Sequence, residues 1–277
     1  AGKVFHESFL RSPQAGRLGI PAAPLSEFFG PIATLATSAG VDLRLKEGLD
    51  SLRQTADGRW SVLAAGEEHI ADAVVLAADF KQTRALIKSL PASKEEHAHF
   101  DAAFDALVPS PITTIHLWYD REVTGLDHAV LLDTRIQWLF TKSRIRRWAK
   151  DRGGYCELVI SASWPELQMG REEILSSALA EFERFFPAAK QAKLIKTGVL
   201  KEARATFSVT PGLDLYRLPQ STRWPGLFLA GDWTQTEWPS TMEGAVRSGR
   251  LAAGAVMGDR QKFMVAELPA RGLMKLI

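Results

Sequence analysis

The residues best placed to do chemistry stand between Leu227 and Arg250. A short apolar run, Leu227-Phe-Leu-Ala230, delivers the chain to Gly231-Asp232, where a cofactor could approach the backbone, and then through Trp238-Pro239 to Ser240-Thr-Met-Glu243. Ser240 and Glu243 have capping-box spacing, which predicts a helix starting at Ser240 with the N–H groups of Thr241, Met242 and Glu243 free at its positive end. Such an end stabilises an anion or an electron-rich carbonyl. Behind it come Gly244, Ala245, Ser248, Gly249, Ala252, Ala253 and Gly254, small enough for a strand, another helix or a flat ring system to pack closely. Glycine inside a helix costs about 1 kcal/mol relative to alanine, so Gly244 and Gly249 each need a packing or ligand reason. A well-capped helix lying on a sheet accounts for the same pattern, and both readings stand at this point.

Other reactive residues carry weaker signals. Cys156 is the single cysteine, which excludes an intramolecular disulfide and a cysteine-built zinc site and agrees with a reducing cytoplasm; it reads as a small buried hydrophobe. His97, His99 and His116 lack metal-ligand spacing and read as structural or solvated. Arg144, Arg146, Arg147 and Lys150 beside Ile145 and Trp148, and the apolar tail 263–277, could touch anionic headgroups, although a solvated basic helix is the simpler reading.

The elements that must position these residues are legible in outline. With 277 residues, 46% of them hydrophobic, the chain can bury a sizeable core in one large or two medium domains. Lys plus Arg (34) nearly balance Asp plus Glu (32), so no nucleic-acid partner is expected. No apolar run approaches the roughly 18 residues of a membrane span. Residues 1–24 read as loop. Leu25 to Ala36 recur at helical spacing, with a break at Gly30-Pro31 and a stop at Gly40. A strand follows at Val41–Leu45, then an antiparallel meander through Leu49–Thr55 and Trp60–Ala64 with turns at Asp57-Gly58 and Gly66. Ala73–Ala78 reads as a strand covered on both faces, and Gln82–Leu90 as a helix. Asp79-Phe80-Lys81 between them is given no role.

From about residue 94 the texture changes to helices among longer strands: Thr113–Tyr119, Ala129–Leu132, Gln137–Thr141, Tyr155–Ser161 and Leu194–Leu200. A helix from Arg171 to Phe186 presents Leu175, Leu179, Phe182 and Phe186 to the core, and Pro187 stops it.

The string from Leu227 to Arg250 resembles the C-terminal FAD motif of flavin amine oxidases and carotenoid desaturases. More narrowly it is similar to the bacterial hydroxysqualene dehydroxylases, as are Leu18–Pro21 with Pro24–Glu27, Pro111–Asp120 and Ala203–Phe207, so the resemblance covers about residues 16 to 258. It implies an α/β (α+β) fold: an incomplete FAD-binding Rossmann-like domain with a β-meander, and a substrate domain of mixed sheet and helices. The expected division is a linker or substrate-domain segment at 1–24, FAD-binding parts at 25–90 and 222–258, a substrate-binding domain at 91–221 and a tail at 259–277.

The cofactor that the resemblance implies is FAD, bound by Leu49, Gly231, Asp232, Trp238, Pro239, Thr241, Met242, Glu243 and Ala245. Asp232 would bond a hydroxyl of the ribityl-pyrophosphate portion, the Met242 N–H would face the flavin N1/O2 edge, and Trp238-Pro239 would lie near the ring edge or the substrate channel. Leu49 would lend its backbone to adenine, or be an ordinary meander residue. The implied activity is flavin-dependent reduction of hydroxysqualene to squalene; desaturation of a carotenoid-like or squalene-like chain and amine oxidation are the alternatives. The implied substrate is an isoprenoid lipid, collected by a cytoplasmic protein in peripheral contact with the inner membrane. The family opens with a Gly-x-Gly-x-x-Gly loop for the pyrophosphate, and this sequence contains no such pattern. The chain also begins at Ala1. The expectation is therefore a missing upstream segment, with a cofactor-incompetent fragment or half of a split enzyme, working with a separate nucleotide-binding chain, as a further reading.

Overall fold

The computed structural model describes residues 2–276, the side chains of residues 3, 8, 150 and 276 excepted. The chain passes through helix α1 (Gly2–Phe5), a π-helical turn (His6–Leu10), α2 (Leu25–Phe28), α3 (Gly30–Ser38) and strands β1 (Leu49–Gln54), β2 (Trp60–Ala64), β3 (Glu67–Ala71) and β4 (Val74–Leu76). Next come α4 (Phe80–Lys88), α5 (Lys94–Ala106), β5 (Pro109–Tyr119), β6 (His128–Val130), β7 (Trp138–Thr141), α6 (Lys142–Ile145) and β8 (Gly154–Ser161). The order closes with α7 (Trp164–Gln168), α8 (Arg171–Phe185), α9 (Ala188–Gln191), β9 (Leu194–Phe207), β10 (Leu227–Leu229) and α10 (Met242–Val256). Helix and sheet are mixed, as an α/β fold requires. Two compact units result, one built from Ala1–Leu18, Arg44–Val108 and Phe207–Ile277, the other from Gly19–Leu43 and Pro109–Thr206.

In the first unit β1, β2 and β3 form the meander, with Trp60 paired to Gln54 on one side and Ala71 on the other. Trp60 is fully buried, and its Nε1 donates to the Pro225 carbonyl at 2.9 Å. Ala65 and Gly66 both have positive φ (49° and 81°), the left-handed pair that a two-residue hairpin favours. Separately, β4 pairs in parallel with β10, Val74 opposite Leu227 and Leu76 opposite Leu229. Asp79 now has a role: its carboxylate accepts from the N–H groups of Lys81 (2.8 Å) and Gln82 (2.9 Å) and caps α4. Leu52, Trp60, Leu76, Phe104, Leu227 and Trp233 belong to one core cluster that ties meander, parallel pair and helices together.

The second unit is built on a five-stranded sheet in the order β6-β7-β8-β5-β9. Ile115 and Leu117 of β5, Leu139 of β7 and Leu158 of β8 share a buried cluster with Ile174, Ala178 and Phe182 of α8. Alternation along a strand sends their neighbours to the opposite face.

Several expectations are corrected. Val41–Leu45 forms no strand; Val41, Leu43 and Leu45 are exposed, with no neighbouring strand to pair with among the described residues. Residues 1–24 are not all loop, since α1 and the π-helical turn lie there; Ala1 is outside the described residues. The strand at Ala73–Ala78 shortens to β4 and is not covered on both faces: Val75 is 41% exposed, and among the described residues the parallel sheet has only the two strands β4 and β10. The stripe of α8 is rotated by about one residue, with Ile174, Ala178 and Phe182 buried, while Leu175, Leu179 and Phe186 pack against the cluster only in part. The break at Gly30-Pro31 stands as expected, dividing α2 from α3.

Candidate functional site

The site belongs to the first unit, where β4 and β10 end side by side. In a parallel sheet that end is where ligands bind, since the chain leaves each strand for a loop with free backbone groups. After β10 the backbone turns at Gly231, whose φ of 142° and close neighbour exclude a side chain: a Cβ would stand 2.3 Å from Trp233 Nε1. That indole is buried and donates to the Ala78 carbonyl at 3.1 Å, stitching the turn after β10 to the turn after β4. The Gly231 N–H donates to Ser248 Oγ at 2.7 Å, and Ser248 passes a hydrogen bond to the Ala245 carbonyl, so the same turn is fastened to α10.

The start of α10 differs by one residue from the capping box expected of Ser240 and Glu243. Thr241 is the N-cap, with extended backbone, and its Oγ1 accepts from the Gly244 N–H at 3.1 Å. Ser240 is not free for capping because its hydroxyl donates to Asp232 Oδ2. Glu243 falls one position early for the reciprocal bond and pairs with Arg247 at 3.3 Å. Consequently Met242 and Glu243 occupy the first helical turn with no intrahelical acceptor for their N–H groups, and Met242 is 61% exposed. The tip is open, positive and held beside Asp232.

Gly231, Asp232, Trp238, Pro239, Thr241, Met242, Glu243 and Ala245 are thus gathered along one turn, loop and helix start. Trp238, Pro239 and Ser240 help line a cavity of about 160 Å³ with Phe207, Leu213 and Arg217. Arg247 lies over the Trp238 ring, 5.1 Å from its centroid. Leu49 stands elsewhere in the unit, in the edge strand of the meander, where it lines a cavity of about 490 Å³ with Gly48, Ala78, Gln82, Ala85 and Leu86.

Two residues that hold this arrangement were not singled out in the sequence. Arg217 is only 6% exposed; its guanidinium donates to the carbonyls of Trp238 (2.8 Å) and Asp232 (2.7 Å) and to Thr236 Oγ1 (3.0 Å), and pairs with Asp214 at 3.1 Å. Gln220, also buried, donates to Thr234 Oγ1 and the Gln235 carbonyl and accepts from Arg260. Ser248 was read in the sequence for its small size alone, and its hydroxyl is what fastens Gly231 to α10. A cation between Tyr216 and Leu218 is the one local signal that could have pointed to Arg217.

The basic stretch at 144–150 does not form an amphipathic surface helix. Helix α6 is four residues long, Arg144 pairs with Asp127 at 3.0 Å, and Trp148 stacks on Tyr155 with centroids 5.8 Å apart. The side chain of Lys150 lies outside the described residues. In the tail, Val265, Leu268 and Leu273 are exposed, and Ile277 is not described.

The family described as flavin containing amine oxidoreductase matches residues 28–257. The chain is 28% identical to a 15-cis-phytoene desaturase of Synechococcus elongatus, across 88% of this chain and 53% of that protein. It is 26% identical to a probable zeta-carotene desaturase of the same organism, across 91% of this chain and 57% of the relative. It therefore spans about half the length of these relatives. Among solved structures, a putative protoporphyrinogen oxidase from Exiguobacterium superposes with a TM-score of 0.62 at 14% identity, covering 86% of this chain and 51% of that one.

Proposed function

Because this chain belongs to the flavin-containing amine oxidoreductase family, we propose that it supplies the substrate side and the C-terminal flavin side of an enzyme that reduces hydroxysqualene to squalene. The observation that carries the flavin part is the open tip of α10, with the N–H groups of Met242 and Glu243 lacking intrahelical acceptors and the Asp232 carboxylate tethered next to it by Ser240. FAD is the cofactor; when bound it supplies the hydride, and the protein contributes placement and electrostatics. The Met242 N–H is the group that would hold the N1/O2 rim, where the helix end would favour the negative charge of a reduced ring. Asp232 would accept from a hydroxyl of the ribityl portion, Thr241 fixes the helix start, and the cavity beside Leu49 would take adenine. Gly231 and Ala245 would permit its close approach, and Trp238-Pro239 would border the ring.

The residues present suit the two ends of FAD, but the glycine-rich loop for its pyrophosphate is not in this sequence. A nucleotide-binding segment carrying that loop, on this protein or on a separate chain, completes the cofactor site. The half-exposed face of the β4–β10 pair supports this reading, since parallel sheets are stable when both faces are covered. The isoprenoid substrate is collected from the cytoplasmic face of the inner membrane by peripheral contact; no helix among the described residues is long and apolar enough to cross a membrane.

Carotenoid-type desaturation is the second reading, favoured by the desaturase relatives. The deciding experiment joins this chain to a glycine-rich nucleotide-binding segment and purifies the assembly. A yellow protein whose dithionite-reduced form turns hydroxysqualene into squalene is the expected outcome. Consumption of phytoene by the oxidised form, with no squalene made, would decide for desaturation, and a colourless assembly would overturn the flavin assignment.

A further inference from the structure

Helix α10 of the first unit has two apolar faces and buries one of them. Gly244, Ser248, Leu251 and Ala252 are buried, whereas Met242, Val246, Gly249, Ala253 and Val256, at helical spacing, form a second face that is exposed along the whole helix. No charge interrupts it. Glu243, Arg247 and Arg250 stand to one side and are engaged within the chain, Arg247 with Glu243 and Glu267, and Arg250 with the Phe263 carbonyl at 3.0 Å. A solvated helix face is ordinarily polar. Gly249, in the middle of this one, adds a second anomaly. Its backbone is helical, so conformation does not demand glycine, and a Cβ there would meet nothing within 4 Å, so packing inside this chain does not demand it either. Close approach from outside the chain is the reason that remains.

The same unit leaves one sheet edge open. Strand β4 bonds to β10 through Val74, whose N–H donates to the Gly226 carbonyl at 2.8 Å, and through Leu76, whose carbonyl accepts from the Ala230 N–H at 2.9 Å. By alternation the N–H and C=O of Val75 point the other way, to an edge with no strand beside it among the described residues. The side chains of Val75 and Ala77 are exposed as well. A segment in which a strand leads into a helix answers both features, the strand at the edge and the helix on the apolar face. A bilayer does not, because open sheet edges are not left facing lipid. A second copy related by a twofold axis would set the two β4 edges antiparallel, against the direction of this sheet. The relatives have chain to spare for such a partner, since this chain covers 53% of the phytoene desaturase and 57% of the probable zeta-carotene desaturase.

We propose that the outer face of α10, opened at Gly249, and the free edge of β4 together form the docking surface for the nucleotide-binding segment; this rests on the reading above that such a segment completes the cofactor site. Its strand adds to β4 in parallel, and its helix crosses α10 at Gly249, where the missing side chain lets two helix backbones come close. A parallel strand at that edge delivers the loop that follows it to the end of the sheet where Ala78 and Asp232 stand, beside the Leu49 cavity and the tip of α10. A glycine-rich loop there presents backbone N–H groups to a pyrophosphate at the point where this chain has none of its own to offer.

The test mixes the whole chain with FAD and a separately produced segment in which a Gly-x-Gly-x-x-Gly loop joins a strand to a helix. Titration calorimetry reads the association, and amide hydrogen exchange reads the surface in the chain alone and in the assembly. The Val75 amide is expected to exchange readily in the chain alone and about 100-fold more slowly in the assembly. Gly249→Leu should weaken association by about 10- to 100-fold through overpacking at the new contact. The same variant by itself should unfold at the wild-type temperature or above, which separates a docking role from a structural one. A wild-type assembly that forms and turns yellow while Gly249→Leu associates within about twofold of it, or while Val75 exchanges as fast as before, would overturn the inference and leave the flavin reading standing. Protection of Val75 by self-association of the chain, or by phosphatidylglycerol vesicles, would overturn it in favour of those occupants. A wild-type chain that neither associates with the segment nor takes up FAD would overturn both.

Discussion

Arg217 carries a full positive charge with 6% of its surface exposed, and it does so by satisfying two main-chain carbonyls of the loop that shapes the site. Removing it leaves the Asp232 and Trp238 carbonyls without their donor, so Arg217→Met should cost on the order of 3 kcal/mol. A lowered denaturant midpoint with an unchanged m-value is the expected result, and an unchanged midpoint would show that the loop is held by other contacts. Cys156 allows a prediction of a different kind. Burial pushes its thiol up to about 12 from the ordinary 9.0, so the folded chain keeps it protonated where the unfolded chain ionises it. The contribution to stability is complete below about pH 9 and lost as pH rises from there toward 12. In keeping with this, Cys156 should resist iodoacetamide at pH 8 in native protein and react once the chain is unfolded. At this scale the sequence identified residue types well and partners poorly. Ser240 and Thr241 are both competent caps, and what decides between them is the Asp232 carboxylate, a tertiary contact that spacing does not reveal.

Of the three glycines in helix α10, Gly244 and Gly249 are read alike in the sequence and separated by the structure. Gly244 lies under the Pro239 carbonyl, where a Cβ would come within 2.6 Å of backbone oxygen, whereas Gly249 is exposed with nothing within 4 Å. Gly244→Ala should therefore destabilise the chain by about 1–3 kcal/mol through overpacking. Gly249→Ala should stabilise it by roughly 0.5–1 kcal/mol, since helical φ and ψ suit alanine and the unfolded chain loses freedom. Thermal unfolding of both variants checks the pair; shifts of the same sign would contradict this reading of the helix. Periodicity exposes such elements because 3.6 and 2.0 are written in the order of residues, as the meander, α4 and α8 attest. It failed at Val41–Leu45 and at the second face of β4 for one reason: a strand is defined by its neighbour, and the sequence of one strand does not say whether that neighbour is present.

Over the whole molecule, the two units bury separate hydrophobic clusters, one around Trp60 and Trp233 and the other around Leu139, Leu158 and Phe182. The first is assembled from three separate stretches of chain, so its parallel pair joins residues some 150 positions apart through Val74 and Leu227. Long loop closures of that kind depend on every stretch being present. The second draws its five-stranded sheet, but for the last residue of β9, and α8 from 109–206, with α8 packed on the buried cluster of the sheet. A continuous stretch with its own core can fold alone. The segment 109–206 made by itself should therefore unfold cooperatively and retain the near-ultraviolet dichroism of the stacked Trp118 and Tyr155, while Phe182→Ala in that segment should cost about 3–5 kcal/mol. In the full chain Trp60→Ala should lower one calorimetric transition and Phe182→Ala another. A single transition lowered equally by both substitutions, or a segment that shows no cooperative unfolding, would mean that the two cores stand or fall together.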